Sequence, residues 1–180
     1  MPRNYVGLGF DIHRLVKGRP LILGGLHLPY PKGLLGHSDG DVLLHAIGDA
    51  LLGAAGLGDI GDFFPDTDPQ YKNMDSSIFL KKIIARVHGL KFKVQGIDTI
   101  IFAEEPKLGR PYGASLAQRA GMQNAKCKKS YKDEIRINVA KILGLSPARV
   151  NIKAKTMEGL GPVGSKKAIA AMVLVLLSKK

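Results

Sequence analysis

Asp11, His13 and His45, from two parts of the sequence, are of the residue types whose side chains can bind transition metals. Asp11 and His13 are two residues apart in strand-like sequence, where alternate side chains point to the same face. His45 falls in a helical pattern with Asp41 and Asp49 one turn to either side, and either carboxylate could orient its imidazole. One carboxylate and two imidazoles predict an open zinc site with a fourth position for water or substrate. The same residues are compatible with a chance Asp-Ile-His and a packed helix histidine.

Two other segments carry groups that suit phosphate. His37 and Ser38 stand where a helix is predicted to begin, and the free N–H groups of a helix start attract anions. After a predicted strand, Thr156 supplies a hydroxyl and Glu158 a carboxylate within a glycine-containing turn, which together suit a phosphate and its metal. The alternatives to phosphate binding are a simple helix cap for the first segment and an ordinary glycine turn for the second.

An aspartate-rich segment follows the first helical pattern, at 59–68. Its carboxylates could bind a divalent cation or sugar hydroxyls, although their spacing does not match an EF-hand loop. A solvated turn is the alternative. Phe63 and Phe64 are unusual for such a turn unless they pack inward or cover a ligand. Lys107, just after a later strand, could meet a phosphate or a base, although most such lysines are merely solvated.

The hydrophobic periodicity predicts alternating strands and helices. Strands are predicted over 3–16, 21–28 with a bulge at its glycines, 94–102, 150–155 and 168–177. Helices are predicted from Ser38, as N-cap of a capping box with Asp41, to about residue 55, over 75–89 and over 132–143. Residues 29–35 and 58–73 are predicted as connections. This order predicts an α+β fold, a two-layer mixed sheet with helices on one face, in a single domain over 1–180 with a basic insertion at about 109–133.

The composition excludes several classes of protein. Of 180 residues, 45% are hydrophobic and 23% charged, which is typical of a globular chain. The one cysteine, Cys127, excludes an internal disulfide and an all-cysteine zinc site. The longest apolar run, at 168–177, is too short for a membrane helix. No signal-peptide pattern opens the chain, so a cytoplasmic location with no membrane association is predicted.

The net charge of +12 arises in the second half of the chain and favours anionic partners without choosing among them. Nucleic acid is one candidate, and a basic nucleic-acid-binding protein on an enzyme scaffold is an alternative function. Against it, only 6% of residues are aromatic, none is tryptophan, and no interleaved aromatic and basic pattern is present. No nucleic-acid partner is therefore predicted. A metal-dependent phosphohydrolase is a third possibility.

Six motifs occur in chain order and cover nearly the whole sequence outside the insertion. They are GFDIH at 9–13, LGHSDGDV at 35–42 with His45, GDIG at 58–61, FPDTD at 64–68, PKL at 106–108 and TMEGLG at 156–161. In these the chain resembles the 2-C-methyl-D-erythritol 2,4-cyclodiphosphate synthase family. Six motifs in sequence are far more specific than any one of them.

The resemblance implies a homotrimer with its sheets toward the threefold axis and active sites between subunits. It implies the conversion of 4-diphosphocytidyl-2-C-methyl-D-erythritol 2-phosphate into 2-C-methyl-D-erythritol 2,4-cyclodiphosphate with release of CMP. That is a phosphorus–oxygen lyase reaction of the methylerythritol phosphate (non-mevalonate) route to isoprenoids and terpenoids.

The resemblance also implies roles for individual residues. Zn²⁺ would be held by Asp11, His13 and His45, and Mg²⁺ or Mn²⁺ by Glu158 with the substrate phosphates. His37 and Thr156 would stabilise the transition state. The implied substrate-binding residues are Asp11, His13, His37, Ser38, Asp59, Gly61, Phe64, Asp66, Thr67, Asp68, Ala103, Pro106, Lys107, Leu108, Ala154, Lys155, Thr156 and Glu158. Among them Asp59 and Gly61 would contact methylerythritol, 64–68 would form a mobile loop over it, and 103–108 with 154–156 would form the cytidine pocket.

The chain departs from the family pattern in three places. Lys155 and Met157 replace threonines of a Thr-Thr-Thr-Glu motif. Pro162 and Ser165 replace an aromatic residue and an arginine that line a cavity on the trimer axis, so the isoprenoid diphosphates said to bind there are not expected. The insertion is longer and more basic than usual. Its lysines could draw in an anionic substrate, but a solvated tether is the interpretation we favour.

Overall fold

The computed structural model describes residues 3–65, 67–71, 73–109 and 130–179. Within these ranges the strands are β1 Arg3–Lys17, β2 Leu21–Leu23, β3 Leu26–Leu28, β4 Lys32–Leu35, β5 Phe92–Phe102, β6 Val150–Lys155 and β7 Ala168–Lys179. The helices are α1 Val42–Ala55, α2 Ile60–Phe63, α3 Ser76–Gly89, α4 Tyr131–Leu143 and α5 Gly161–Gly164, with 3₁₀ turns at Pro69–Tyr71 and Pro147–Arg149. Most of the insertion, with Cys127, lies outside the described residues.

Five of the strands form one mixed sheet in the order β4-β1-β7-β5-β6. Strands β5 and β6 are parallel, whereas the other neighbours are antiparallel. The two long strands β1 and β7 pair along most of their length, with Asp11 opposite Ala171 and His13 opposite Ile169. The predicted mixed α+β architecture is therefore confirmed.

The helices cover one face of this sheet, where they close the core. The side chains of β1 that point to the other face are apolar and exposed: Val6 62%, Leu8 64%, Phe10 50% and Ile12 43%. Leu174 of β7 is exposed on the sheet as well. A contiguous apolar surface of this kind on a folded chain marks a site of association.

Two glycines of β1 let helix α1 lie directly on the strand. A Cβ atom added at Gly7 would overlap the carbonyl oxygen of Ala50, and one at Gly9 would overlap that of Ala46. With hydrogen in place of a side chain, the backbones of the strand and the helix meet without a layer of side chains between them. His45 lies next to Ala46, so this approach carries its ring to β1.

Four local predictions were wrong. Residues 21–28 form a hairpin rather than one bulged strand, because Gly24 and Gly25 both adopt positive φ, as a tight two-residue turn requires. Residues 29–35 contain β4, and 58–73 contain α2 and a 3₁₀ turn rather than only a loop. Helix α1 begins at Val42 with Asp41 as N-cap, so Ser38 neither caps it nor forms a capping box with Asp41.

Among the described residues, none of the helices combines the length and apolar character needed to cross a lipid bilayer.

Candidate metal centre

Strand β1 and helix α1 bring the three predicted ligands together. Asp11 and His13 share the inward face of β1, and His45 reaches the same point from the first turns of α1. One potential ligand atom from each of the three lies within 4.8 Å of the others. Among the described residues, this is the one group of three or more His, Cys, Asp or Glu side chains arranged in this way.

The ligand atoms form a tight triangle. Asp11 Oδ2 lies 2.9 Å from His13 Nε2 and 3.0 Å from His45 Nδ1. The two ring nitrogens are 3.1 Å apart. Two imidazole nitrogens and a carboxylate oxygen are a donor set suited to zinc and neighbouring divalent ions.

The partner of His13 determines which of its nitrogens faces the triangle. His13 Nδ1 lies 2.7 Å from the carbonyl oxygen of Leu35, which can only accept a hydrogen bond. The ring proton therefore sits on Nδ1, and the lone pair of Nε2 points at Asp11. A histidine ligand that donates its other N–H to a backbone carbonyl is the usual arrangement around a protein-bound metal. The residues therefore fit an ion.

The surroundings of Asp11 and His13 shift the pKa values of these two side chains. Burial raises the pKa of Asp11, but the hydrogen bonds and positive charges that His13 and His45 contribute when protonated outweigh it, so the pKa lies well below its usual range. Burial lowers the pKa of His13, but the hydrogen bond that its protonated ring donates to Asp11 and the charge of that carboxylate raise it above the ordinary value overall. The carboxylate is therefore in the ionised form that a metal requires.

A cavity of about 290 Å³ opens onto the triangle. Its lining combines the three ligands with polar and aromatic side chains, namely Asp11, His13, His37, Ser38, His45, Asp49, Ile60, Phe64, Tyr71 and Phe79. Of the predicted substrate-binding residues, His37, Ser38 and Phe64 therefore join the ligands in one cavity. Ser38 is buried, and its hydroxyl is 3.1 Å from His45 Nε2.

Asp49 lines this cavity but makes no hydrogen bond with His45. Its Oδ1 accepts instead from the backbone N–H of Ile60 at 2.8 Å. Burial raises the pKa of Asp49, the nearby Asp59 and Asp11 carboxylates add to the rise, and the Ile60 N–H opposes it. Asp41 is also turned away from His45, toward backbone N–H groups. The prediction that one of these two aspartates orients His45 was wrong.

The aspartate-rich segment forms structure of its own beside the cavity. Asp59 caps α2 by accepting from the N–H of Asp62 at 3.1 Å, and the carboxylate of Asp62 accepts in turn from the N–H of Asp59 at 3.2 Å. Phe64 packs inward, with its ring 4.8 Å from that of Phe79. Asp59, Gly61 and Thr67 are exposed and outside the cavity lining, and Asp66 lies outside the described residues.

Asp68 approaches the cavity through its backbone. Its carbonyl oxygen is 3.4 Å from His37 Nε2, while its carboxylate accepts from the backbone and side chain of Gln70. A backbone hydrogen bond holds His37 in place, since its carbonyl oxygen accepts from the N–H of Asn73 at 2.8 Å.

A second cavity, of about 510 Å³, lies at the ends of β5 and β6, toward the β6 edge of the sheet. It is lined by Ala103, Lys107, Leu108, Gly109, Lys132, Ala154, Lys155 and Thr156. Six of these are predicted substrate-binding residues, and Lys132 was not anticipated as part of this set. Pro106 is buried next to them, after a cis peptide bond. No residue is common to the two cavities within the described chain.

Sheet geometry separates the two cavities within one chain. Strand β6, which ends at Lys155, is three strands away from β1 in the sheet. With neighbouring strands about 4.8 Å apart, the separation across the sheet is roughly 14 Å. Glu158, beyond the end of β6, is not part of the metal triangle in this chain.

The turn after β6 carries Thr156 and Glu158 on an exposed surface. Thr156 Oγ1 donates to Glu158 Oε1 at 2.5 Å, and Glu158 has a positive φ of 49°. Glu104 fixes the turn from the neighbouring loop, since its Oε2 accepts from the N–H of Met157 at 3.2 Å. Met157 occupies the position between the two functional candidates, so this bond sets the course of the backbone there.

Sequence reasoning missed two residues that touch or support the triangle. Ser76 Oγ lies 2.9 Å from His45 Nε2, and Asp39 contacts that serine. Their relation is tertiary, since Ser76 lies 31 positions after His45 in the sequence, so no local pattern could have indicated it.

A mixed sheet with an Asp-His-His triangle at the wall of an open cavity defines an α+β protein built to hold a divalent ion beside a small-molecule ligand. The family model described as YgbB family matches residues 5–127 and 120–178. The chain belongs to this family, and its curated relatives are named 2-C-methyl-D-erythritol 2,4-cyclodiphosphate synthase. The protein of that name from Bordetella avium is 48% identical over 175 residues, covering 97% of this chain and 96% of its own length. The one from Enterococcus faecalis is 51% identical over 174 residues, covering 97% and 98%.

Solved structures of similar proteins also match the fold of this chain. The bifunctional IspDF of Campylobacter jejuni matches with a TM-score of 0.84 at 37% identity, covering 100% of this chain, which spans 43% of that longer protein. A CDP-bound form of 2C-methyl-D-erythritol-2,4-cyclodiphosphate synthase matches with a TM-score of 0.75 at 35% identity, covering 96% of this chain and 99% of that one. A CDP complex of IspF from Plasmodium falciparum gives 0.74 at 29% identity, with 98% and 97% covered.

Proposed function

We propose that this chain converts 4-diphosphocytidyl-2-C-methyl-D-erythritol 2-phosphate into 2-C-methyl-D-erythritol 2,4-cyclodiphosphate and CMP. The observation that carries the proposal is the Asp11, His13 and His45 triangle at the wall of a cavity, in a chain about half identical to synthases of that name. The reaction is a phosphorus–oxygen lyase reaction of isoprenoid biosynthesis, and we propose a cytoplasmic location for it.

The three ligands would hold Zn²⁺, which would supply Lewis-acid polarisation of the phosphoryl group under attack. The donor set supports this assignment, because two neutral nitrogens and one ionised oxygen leave a coordination position free toward the cavity. Glu158 would hold Mg²⁺ or Mn²⁺ together with the substrate diphosphate. An oxygen-only position of that kind suits these harder cations.

The protein itself needs no nucleophile for this reaction. The 2-phosphate of the substrate attacks the β-phosphorus, a new P–O bond forms, the bond from the β-phosphorus to the α-phosphate oxygen breaks, and CMP leaves with that oxygen. A phosphate monoester is largely dianionic at neutral pH, since its second pKa is about 6. What the chain contributes is alignment of the two phosphates and stabilisation of the developing charge.

Named side chains would carry these tasks. His37 lines the cavity beside the triangle and would donate from its ring to phosphate oxygens. Thr156 would do the same from the other cavity, where Ala103, Lys107, Leu108 and Ala154 would enclose the cytidine. Asp59 and Gly61, with 64–68, would contact and cover the methylerythritol and help to exclude water, which otherwise would compete as a nucleophile.

We further propose a homotrimer with the sheets toward the threefold axis and an active site between each pair of subunits. Two observations support it. The exposed apolar residues of β1 and β7 form a surface that association would bury. The two cavities are separated across the strands of the sheet in one chain, so a neighbouring subunit would bring its cytidine pocket to this chain's metal triangle.

The insertion, which lies almost entirely outside the described residues, is proposed to be a solvated tether. Removing residues 109–129 should leave CMP release intact while the trimer persists.

Incubation of the purified protein with the cytidylyl substrate, Zn²⁺ and Mg²⁺, followed by mass analysis of the small products, tests the function. We expect the cyclic diphosphate and CMP in equal amounts. A linear phosphate product would contradict cyclisation and indicate a phosphohydrolase. His45→Ala should abolish turnover, whereas His27→Ala, which changes an exposed histidine on β3, should not.

A further inference from the structure

His45 has two sides, and only one of them faces the metal triangle. Its Nδ1 points to Asp11 and His13, while its Nε2 lies 2.9 Å from Ser76 Oγ and 3.1 Å from Ser38 Oγ. A neutral imidazole carries one proton, on one nitrogen or the other. The contacts of Nε2 therefore decide whether Nδ1 has a lone pair to offer.

Asp39 determines what Ser76 can offer to His45. The hydroxyl of Ser76 donates to Asp39 Oδ1 at 2.5 Å. The carboxylate is held in place because Oδ2 accepts from the N–H of Ser76 and Oδ1 from the N–H of Asp41, both at 3.0 Å. With its single proton committed to Asp39, the oxygen of Ser76 has only lone pairs left for the ring of His45.

Ser76, the first residue of helix α3, can therefore only accept a hydrogen bond from the imidazole of His45. An acceptor 2.9 Å away is satisfied only if Nε2 carries the proton. Ser38 is compatible with this arrangement, because its oxygen can accept from the same N–H while it also accepts from the N–H of Gly40. Ser76 is 1% exposed, so water does not replace it in this role.

We propose that Ser76, oriented by Asp39, is a positioning residue that keeps the proton of His45 on Nε2 and so presents the Nδ1 lone pair to the metal. This inference rests on the proposed metal centre. Its physical reason is a competition, since Asp11 Oδ2 is 3.0 Å from Nδ1 and would accept a proton there. Without the Ser76 oxygen, Nε2 keeps only the longer contact to Ser38, the Asp11 carboxylate holds the proton on Nδ1 in a larger share of the molecules, and a metal must displace it.

The tautomer can be measured directly in the metal-free protein. In ¹⁵N-labelled protein at mildly alkaline pH, two-bond proton–nitrogen correlations of the imidazoles show which ring nitrogen is protonated. We expect His45 to be protonated at Nε2 in the wild type and to gain an Nδ1-protonated population in Ser76→Ala. Ser77→Ala is the matched control on the next residue of α3, whose side chain is only half-buried, and it should keep the wild-type pattern.

Metal affinity provides the second measurement. Zn²⁺ and Co²⁺ titrations against a competing chelator should show affinity about 10- to 100-fold lower in Ser76→Ala than in the wild type or Ser77→Ala. A serine that merely packs at the start of α3 would lower thermal stability without changing the tautomer of His45 or the metal affinity. Unchanged His45 tautomer and unchanged affinity in Ser76→Ala would overturn the proposal.

The metal centre and the role of Ser76 are tested by different measurements. If the wild-type protein binds neither Zn²⁺ nor Co²⁺, the proposed metal centre is wrong. The tautomer comparison still decides the role of Ser76, because it is made without metal.

Discussion

The metal triangle and the turn after β6 are both proposed to bind ions, yet the chain builds them in opposite ways. The triangle has its ligand atoms within hydrogen-bond distance of one another, on a strand and a helix that touch backbone to backbone. The turn has exposed side chains, one carboxylate, and a single bond from Glu104 to its backbone. The triangle is therefore organised before any ligand arrives, whereas the turn by itself offers few ligand groups, which under the proposed function the substrate phosphates and a neighbouring subunit would complete.

The largest effect should come from separating β1 and α1. In Gly9→Ala the new methyl would overlap the carbonyl of Ala46, and overpacking of this kind costs about 3 kcal/mol of the free energy of unfolding. We also expect zinc binding to be lost, because His45 moves with α1. Chemical denaturation and zinc titration measure the two effects.

Gly53→Ala is the control for that variant. Gly53 lies in the same helix with open space at its Cβ position, so alanine there should stabilise the protein by about 0.5–1 kcal/mol. Wild-type stability in Gly9→Ala would contradict the close approach of strand and helix.

The second prediction separates the two regions by their chemistry. His45→Ala removes one of three ligands and should weaken zinc binding by more than about 100-fold. Glu158→Gln should keep the zinc, since Glu158 is not part of the triangle, but lose most turnover. Metal analysis of purified protein and a CMP release assay measure these outcomes.

Glu134→Gln, on the exposed surface of α4, should resemble the wild type in both assays. Normal zinc content in His45→Ala would refute the ligand assignment. Unchanged turnover in Glu158→Gln would count against a second cation at that carboxylate.

A third prediction concerns pH and applies to the triangle alone. In the metal-free protein the lowered pKa of Asp11 stabilises the fold above about pH 4 and is lost as the pH falls through its folded value. The raised pKa of His13 stabilises the fold below about pH 6.5 and is lost as the pH rises through its folded value. The contribution of this pair should therefore be greatest between those limits.

With saturating zinc, the stability of the fold should instead increase as the pH rises above about 6.5, because the ion and the proton compete for His13. Urea unfolding across pH, with and without zinc, measures both curves. Identical pH profiles for the metal-free and zinc-loaded proteins would show that the ion does not bind at the triangle.

The smallest expected effect lies at the turn. Glu104→Ala removes the acceptor of the Met157 N–H, which costs about 1 kcal/mol and should raise the KM for the cytidylyl substrate roughly fivefold. Zinc affinity should not change. Glu105→Ala is the neighbouring control, since Glu105 pairs with Lys166 at 2.7 Å rather than with the turn. Equal KM values in the two variants would show that Glu104 does not organise the turn.

The sequence predicted the parts of the fold that depend on local pattern. Alternation along β1 placed Asp11 and His13 on one face, and the helix predicted over 75–89 agrees with α3 to within one residue. The meeting of these two ligands with His45 was predicted from the same alternation and from the motifs. The single-domain organisation and the roles of the substrate-binding residues stay predictions.

What could not be predicted depends on contacts between distant residues. Ser38 has the side chain of a good N-cap, but its hydroxyl lies within hydrogen-bond distance of His45 instead. Asp41 is the N-cap of α1. Ser76 is a common residue at a helix start, and only the folded chain shows its contact with the imidazole. Residue type therefore identified the ligands, whereas their hydrogen-bond partners depended on tertiary structure.

The carboxylate of Asp41 joins two parts of the chain that are separate in sequence. Its two oxygens accept from the amides of Gly24 and Gly25 in the hairpin turn and from those of Leu43 and Leu44 at the start of α1. Four amide protons that share one fully buried acceptor should exchange with deuterium in a single opening event rather than in two. The hairpin, although remote from the chemistry, then becomes part of the cooperative unit that keeps the imidazole of His45 in place.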